Sequence, residues 1–90
     1  MLSRARIFVS GDVHGVGLRY YAKEQADILG LSGFVKNLPD GRVEAVFEGE
    51  REAVEKIIAW ARRGPHYASV SGVEANWEEP VGENGFKIKF

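Results

Sequence analysis

The sequence predicts a small α+β domain in which two helices cover one face of an antiparallel sheet of four or five strands. Ninety residues are enough for one hydrophobic core but too few for two, so we expect residues 1–90 to form a single domain. Apolar residues alternate with polar ones in several short segments and recur at helical spacing in two longer ones. The segments follow the order strand–helix–strand twice, which is the split βαβ (βαββαβ) arrangement.

The first half of the chain contains a strand, a helix and a second strand. Residues 4–12 are rich in β-branched and aromatic side chains, and Ile7 and Val9 share one face of this strand. Four apolar residues share one face of the helix that follows: Leu18, Ala22, Ala26 and Leu29. Gly30 suits the C-terminus of this helix, and residues 32–38 form the second strand.

The second half of the chain repeats this pattern after a Pro-Asp-Gly turn at residues 39–41. Residues 42–48 alternate cleanly and predict the third strand, and a helix follows over about 50–63. The buried stripe of this second helix comprises Val54, Ile57, Ile58 and Ala61. A fourth strand is expected within 68–78. Residues 86–90 alternate between apolar side chains and lysines, which predicts a last strand whose lysines protect an exposed sheet edge.

Composition excludes several classes of function. The formal net charge of -1 gives no general attraction for nucleic acids or anionic membranes. The absence of cysteine removes disulfides, thiol nucleophiles and thiolate metal sites. The N-terminal segment has no apolar run long enough for a signal peptide or a membrane span. We therefore expect a cytoplasmic protein with neither nucleic acid nor membrane as a partner.

Residues 11–19, GDVHGVGLR, contain three glycines, and the segment ends in an arginine. The first N–H groups of the helix need acceptors, yet Val16 and Gly17 offer no capping side chain. A bound anion would supply the acceptor, and it would also explain Arg19, a cation that the helix dipole disfavours at this end. The alternative is that Gly17 caps the helix adequately and Arg19 points to water.

Two familiar phosphate loops do not fit this segment. The nucleotide-binding pattern G-x-x-x-x-G-K-[ST] needs a lysine and a hydroxyl after its last glycine, and neither follows Gly17. The dinucleotide pattern needs a third glycine where Tyr20 stands. Any ligand is therefore expected to be a small phosphorylated molecule rather than a nucleotide held by either device.

A second segment, FVKNLPDG at residues 34–41, places Asn37 just before the turn. An asparagine in this position commonly bonds to nearby backbone and serves only the turn. If the first two strands lie close in the sheet, however, Asn37 approaches the mouth of the glycine loop. These residues alone do not decide whether Asn37 serves the turn or the glycine loop.

These two segments, in this order and spacing, resemble the acylphosphatases, a family of small hydrolases of about this length. The resemblance continues through VEAVFEG, the Gly-Pro pair after the second helix and the final Gly-Phe strand, so it spans nearly the whole chain. It implies a ferredoxin-like fold and hydrolysis of acyl phosphates to a carboxylate and inorganic phosphate. It also implies that Arg19 binds the phosphoryl group and that Asn37 holds the attacking water. The implied phosphate-binding residues are Val13, His14, Gly15, Val16, Gly17, Leu18 and Arg19.

Three residues depart from the family pattern. His14 replaces the usual glutamine, and Leu18 replaces the usual phenylalanine while keeping an apolar contact under the loop. Asp12 occupies a variable position that is often basic, and a carboxylate beside an anion site should weaken substrate affinity.

No metal or cofactor is expected. His14 and His66 lack the helical spacing of a metal pair, and the leaving carboxylate of an acyl phosphate needs no general acid. Catalysis can then come from positioning and charge stabilisation alone. We expect a monomer, with inorganic phosphate or sulfate as a competing anion. The rival interpretations are a ligand-binding or regulatory module without turnover and, disfavoured by the negative net charge, an RNA-binding domain.

Overall fold

The computed structural model describes residues 1–13, 17–64 and 69–90. The elements follow the predicted order, with boundaries close to those expected from the sequence. They are β1 (Leu2–Asp12), α1 (Leu18–Leu29), β2 (Ser32–Asn37), β3 (Val43–Glu50), α2 (Arg51–Arg63), β4 (Ser69–Glu78) and β5 (Phe86–Lys89). The predicted ferredoxin-like α+β architecture is confirmed.

The strands form one mixed sheet in the order β4-β1-β3-β2-β5. Three of the pairings are antiparallel, but β2 and β5 run parallel. The prediction of a wholly antiparallel sheet is therefore wrong at this edge. The chain reverses direction after β4 and crosses from one edge of the sheet to the other, so β5 points the same way as its new neighbour. Its two lysines lie on an edge strand and are exposed, as expected.

The hydrophobic core lies between the sheet and both helices. The predicted stripes of α1 and α2 are buried, except that Leu29 is only partly so. They meet the inward side chains of the sheet, among them Ile7, Val35 and Phe47. Phe47 and Phe86 stack with ring centres 5.4 Å apart, so the edge strand β5 is tied to the centre of the sheet.

The polar face of β3 is also buried, although its alternating sequence resembles that of a strand with one side in water. Glu44 and Glu48 are only 9% and 3% exposed. Arg4 on β1 pairs with Glu48 at 3.3 Å, and Arg6 pairs with Glu44. The connection from β4 to β5 crosses this face, where the backbone N–H groups of residues 81–83 donate to the Glu48 carboxylate at 2.8–2.9 Å.

These donors decide the charge state of Glu48. Burial alone would raise the pKa of its carboxyl group, but the three backbone N–H groups and the Arg4 guanidinium outweigh burial and hold the pKa below its usual range. Glu48 is therefore an ionised anchor that holds the connection against the sheet and so fixes the start of β5.

Candidate functional site

Helix α1 begins without a side-chain cap. Gly17, the residue before it, has φ 76° and ψ 19°, a left-handed conformation that glycine adopts without strain. The Gly17 carbonyl accepts the N–H of Tyr21 at 3.0 Å, but no side chain caps the helix and its first turn contains no acidic residue. Within the described part of the chain no acceptor satisfies the first N–H groups of this helix, which carries the positive end of its dipole here.

A cavity of about 240 Å³ opens at this helix start. Its described lining residues are Val13, Gly17, Leu18, Arg19, Tyr20 and Asn37. Val13 and Leu18 are 1% and 3% exposed, so they belong to the hydrophobic core and form the floor of the cavity. The cavity thus has an apolar base and is bordered by a helix N-terminus, a guanidinium and an amide.

Asn37 reaches this cavity from the far side of the central strand. The strands β1 and β2 are not neighbours but flank β3, where Val43 pairs with both Val9 and Asn37. The end of β2 and the end of β1 therefore lie at the same edge of the sheet, one strand apart. Although one strand separates β1 from β2, Asn37 and Val13 border the same cavity.

The turn that follows β2 closes without the Asn37 side chain. Its hydrogen bonds run from the Leu38 N–H to the Arg42 carbonyl at 2.8 Å and from the Gly41 N–H to the Leu38 carbonyl at 3.1 Å. The Asp40 carboxylate accepts the Arg42 N–H at 3.0 Å. Within the described residues the Asn37 side chain makes no hydrogen bond, so its amide is available to a ligand or to water.

The Arg19 guanidinium is held by the end of β5 and the residue after it. Its Nη1 donates to the Lys89 carbonyl at 3.4 Å, and its Cζ lies 4.8 Å from the centre of the Phe90 ring. No carboxylate of the described residues pairs with it. The arginine is thus oriented by neutral groups while its charge remains available to an anion.

The base of the loop is fixed by close packing between β1 and β4. At Gly11, where φ is 126°, a Cβ atom would lie 2.1 Å from the Ser69 carbonyl oxygen, so only glycine fits. The pairing of the two strands shifts register between Ser10 and Gly11. Asp12, the last residue of β1, is exposed.

Four of the seven residues predicted to bind phosphate are described, and they line one cavity: Val13, Gly17, Leu18 and Arg19. His14, Gly15 and Val16 lie outside the described residues. Sequence reasoning missed the contacts of Lys89 and Phe90 with Arg19. The alternation of residues 86–90 predicted only a strand, and no local pattern indicates which side chain its end will meet.

A larger cavity, of about 570 Å³, lies at the opposite end of the β1–β3 pair, bordered by Met1, Glu50, Arg51 and Glu52. Both of its cations already have partners, because the Met1 amino group contacts Glu50 at 2.6 Å and Arg51 stacks on Trp77 at 3.6 Å. It therefore lacks a cation like Arg19, which has no carboxylate partner among the described residues.

Residues 1–13, 17–64 and 69–90 contain neither a metal-ligand cluster nor a membrane-spanning helix. No group of three or more histidine, cysteine, aspartate or glutamate side chains there is arranged to hold a metal ion. No helix among these residues is both long and apolar enough to cross a membrane.

Comparisons of the sequence with known proteins point to one family. The family model described as acylphosphatase matches residues 5–88. An acylphosphatase of Roseiflexus sp. is 52% identical over 88 residues, covering 97% of this chain and 95% of that protein. One of Thermococcus kodakarensis is 52% identical over 85 residues, covering 94% and 93%. The crystal structure of acylphosphatase from Bacillus subtilis superimposes with a TM-score of 0.93 at 35% identity, covering all of both chains. The chain belongs to the acylphosphatase family of enzymes, which hydrolyse acyl phosphates.

Proposed function

We propose that the cavity at the start of α1 binds the phosphoryl group of a small acyl phosphate and that hydrolysis takes place there. The observation that carries the proposal is the convergence of three groups from two elements, α1 and β2. The uncapped N-terminus of α1, Arg19 and Asn37 border one cavity. Among the described residues no carboxylate pairs with Arg19 and no group bonds the Asn37 amide. The N–H groups at the start of α1 hold the phosphoryl oxygens, and His14, Gly15 and Val16 stay predicted phosphate-binding residues.

Arg19 supplies the positive charge. The guanidinium presents several donors in one plane, which suits two phosphoryl oxygens at once. Because Arg19 is oriented through the Lys89 carbonyl and the Phe90 ring, its geometry is largely set before substrate arrives. A preorganised cation stabilises the transition state without reorganising during the reaction.

Asn37 orients the attacking water. The water oxygen attacks phosphorus in line with the bond that breaks, between phosphorus and the carboxyl oxygen of the acyl group. The bonding electrons of that bond leave with the carboxylate, and the proton of the water passes to a phosphate oxygen. The amide contributes by holding the water in the attacking position, which is a matter of geometry rather than of proton transfer.

The chemistry needs no general acid, since the leaving carboxylate is already a stable anion. Phosphoryl transfer passes through a loose transition state in which positioning and charge stabilisation do most of the catalysis. The proposed mechanism therefore involves no metal, no cofactor and no covalent intermediate.

The domain organisation, the oligomeric state, the location and the competing anions are also proposed. We propose that residues 1–90 act as one catalytic domain and as a monomer in the cytoplasm, without nucleic acid as a partner. Inorganic phosphate and sulfate compete for the cavity and raise thermal stability by binding the folded state. Asp12 lowers the affinity for these anions, whereas His14 and Leu18 leave the chemistry unchanged.

The test is phosphate release from an acyl phosphate, compared with release from an alkyl phosphate monoester. We expect turnover of the acyl phosphate alone, because an alkoxide leaving group would need a general acid that the mechanism lacks. Inorganic phosphate should inhibit competitively. Equal rates on the two substrates, or noncompetitive inhibition, would contradict the proposed site.

A further inference from the structure

The short last strand, β5, supports the guanidinium of the proposed phosphoryl site. It has four residues and lies at the edge of the sheet, beside β2. Its Lys89 carbonyl accepts Arg19 Nη1 at 3.4 Å, and the ring of Phe90, the residue after it, lies 4.8 Å from the Arg19 Cζ. The orientation of Arg19 therefore depends on where β5 lies.

The connection that leads into β5 is held by the Glu48 carboxylate. Residues 79–84 form neither helix nor strand. Within the described chain, the only hydrogen bonds from their backbone N–H groups are the three that residues 81–83 donate to Glu48 at 2.8–2.9 Å. Glu48 is itself held in place, because it lies on the central strand β3 and is almost fully buried. It therefore fixes the connection relative to the centre of the sheet.

The residues between this anchor and the end of β5 are closely connected to the sheet. The Gly85 N–H donates to the Ser32 Oγ at 3.2 Å, and the Gly85 carbonyl accepts the Gly33 N–H at 2.9 Å. Phe86 stacks on Phe47, the neighbour of Glu48 in β3. A displacement of residues 81–83 would therefore pass into β5 rather than be absorbed by a slack segment.

We propose that Glu48 is a positioning residue for hydrolysis: by anchoring residues 81–83 it fixes β5 and, through β5, the guanidinium of Arg19. The proposal rests on the proposed role of Arg19 toward the phosphoryl group. Glu48 acts through the chain and not on the substrate, because it lies on the face of the sheet away from the core that α1 covers. Only a carboxylate suits this position, since all four groups bonded to it are donors.

The experiment is a double-mutant cycle between Glu48→Gln and Phe90→Ala, read out by titration with inorganic phosphate and by kcat. Each variant is measured at a temperature at which its own unfolding curve shows it to be folded. Glu48→Gln should weaken phosphate binding by about two- to tenfold and lower kcat by a similar factor, because a displaced cation stabilises both ground and transition states less well. The double variant should lose less than the product of the two single losses, because both changes remove the same support of Arg19.

Two further variants separate positioning from loss of stability. Ile57→Ala removes a fully buried side chain of α2 and should lower stability, yet leave phosphate affinity within about twofold of the wild type. Glu48→Asp keeps the charge but sets the carboxylate back by one methylene, so it should lose part of the phosphate affinity. If Glu48→Gln does not fold, the affinity of Glu48→Asp decides in its place.

Unchanged phosphate affinity in the folded Glu48 variants, or single losses that simply multiply in the double variant, would overturn the positioning role and leave the phosphoryl site intact. An equal loss of affinity in Ile57→Ala would overturn the positioning role as well, because destabilisation alone would then explain the effect. Failure of the wild type to bind phosphate, or normal binding by Arg19→Ala, would overturn the proposed function itself, and this inference with it.

Discussion

Substitution of Glu48 by glutamine probes the buried anchor of the connection between β4 and β5. Oε2 accepts the N–H groups of Gly82 and Glu83, while Oε1 accepts those of Val81 and the Arg4 side chain. An amide has one oxygen and one NH2 group, so in either orientation two of these donors face another donor. An unsatisfied buried donor costs about 1–3 kcal/mol. We therefore expect Glu48→Gln to lower the free energy of unfolding by roughly 2–6 kcal/mol.

Urea unfolding at pH 7 measures this loss, with Glu79→Gln as the control. Glu79 is exposed, so its variant should lie within about 0.5 kcal/mol of the wild type. Because the pKa of Glu48 is lowered in the folded protein, its stabilisation is fully present above the unfolded pKa, about 4.3. This stabilisation is lost as pH falls through the pKa that Glu48 has in the folded protein. The unfolding curves of the wild type and of Glu48→Gln should therefore converge in acid. A difference below about 1 kcal/mol at pH 7 would refute this account of the anchor.

Three further predictions concern the site. Arg19→Lys should fail to restore the turnover and phosphate binding that Arg19→Ala loses, because an ammonium group cannot bond two oxygens in one plane; recovery of most of kcat would show that charge alone matters. Phe90→Ala should weaken phosphate binding by about two- to fivefold, the worth of an exposed cation–π contact, and unchanged affinity in a titration would remove the ring from the positioning of Arg19. Turnover should persist in excess chelator, whereas activity that vanished and returned with Mg²⁺ would contradict the electrostatic mechanism.

Much of the fold is readable from local patterns. The helices are amphipathic, and the glycines at their ends mark their limits, so α1 and α2 were predicted almost to the residue. The parallel pairing of β5 was not predicted, because it depends on where the chain crosses the sheet rather than on the alternation within 86–90. The burial of Glu48 was missed for the same reason, since its donors lie more than thirty residues away.

Some features of the candidate site also have a local sequence signal, whereas others depend on the fold. The lack of a cap before Leu18, with Arg19 in the first turn, is a local signal that predicts an anion site at this helix end, where a cavity lies. The approach of Asn37 depended on strand order, which the sequence left conditional. Arg19 and Lys89 are separated by 70 residues in the sequence. No local sequence pattern could therefore predict that Lys89 and Phe90 contact Arg19.

The central claim, that Asn37 orients the attacking water, is tested most directly by kcat, phosphate affinity and thermal stability of Asn37→Ala, measured on one preparation. Asp40→Ala is the matched control, because the Asp40 carboxylate does bond within the turn. We predict that Asn37→Ala folds stably, binds phosphate within about threefold of the wild type and loses roughly a hundred- to thousandfold in kcat, whereas Asp40→Ala keeps its kcat. A stable, phosphate-binding Asn37→Ala with near-normal kcat, or one whose activity falls only in proportion to its folded fraction, would contradict the mechanism.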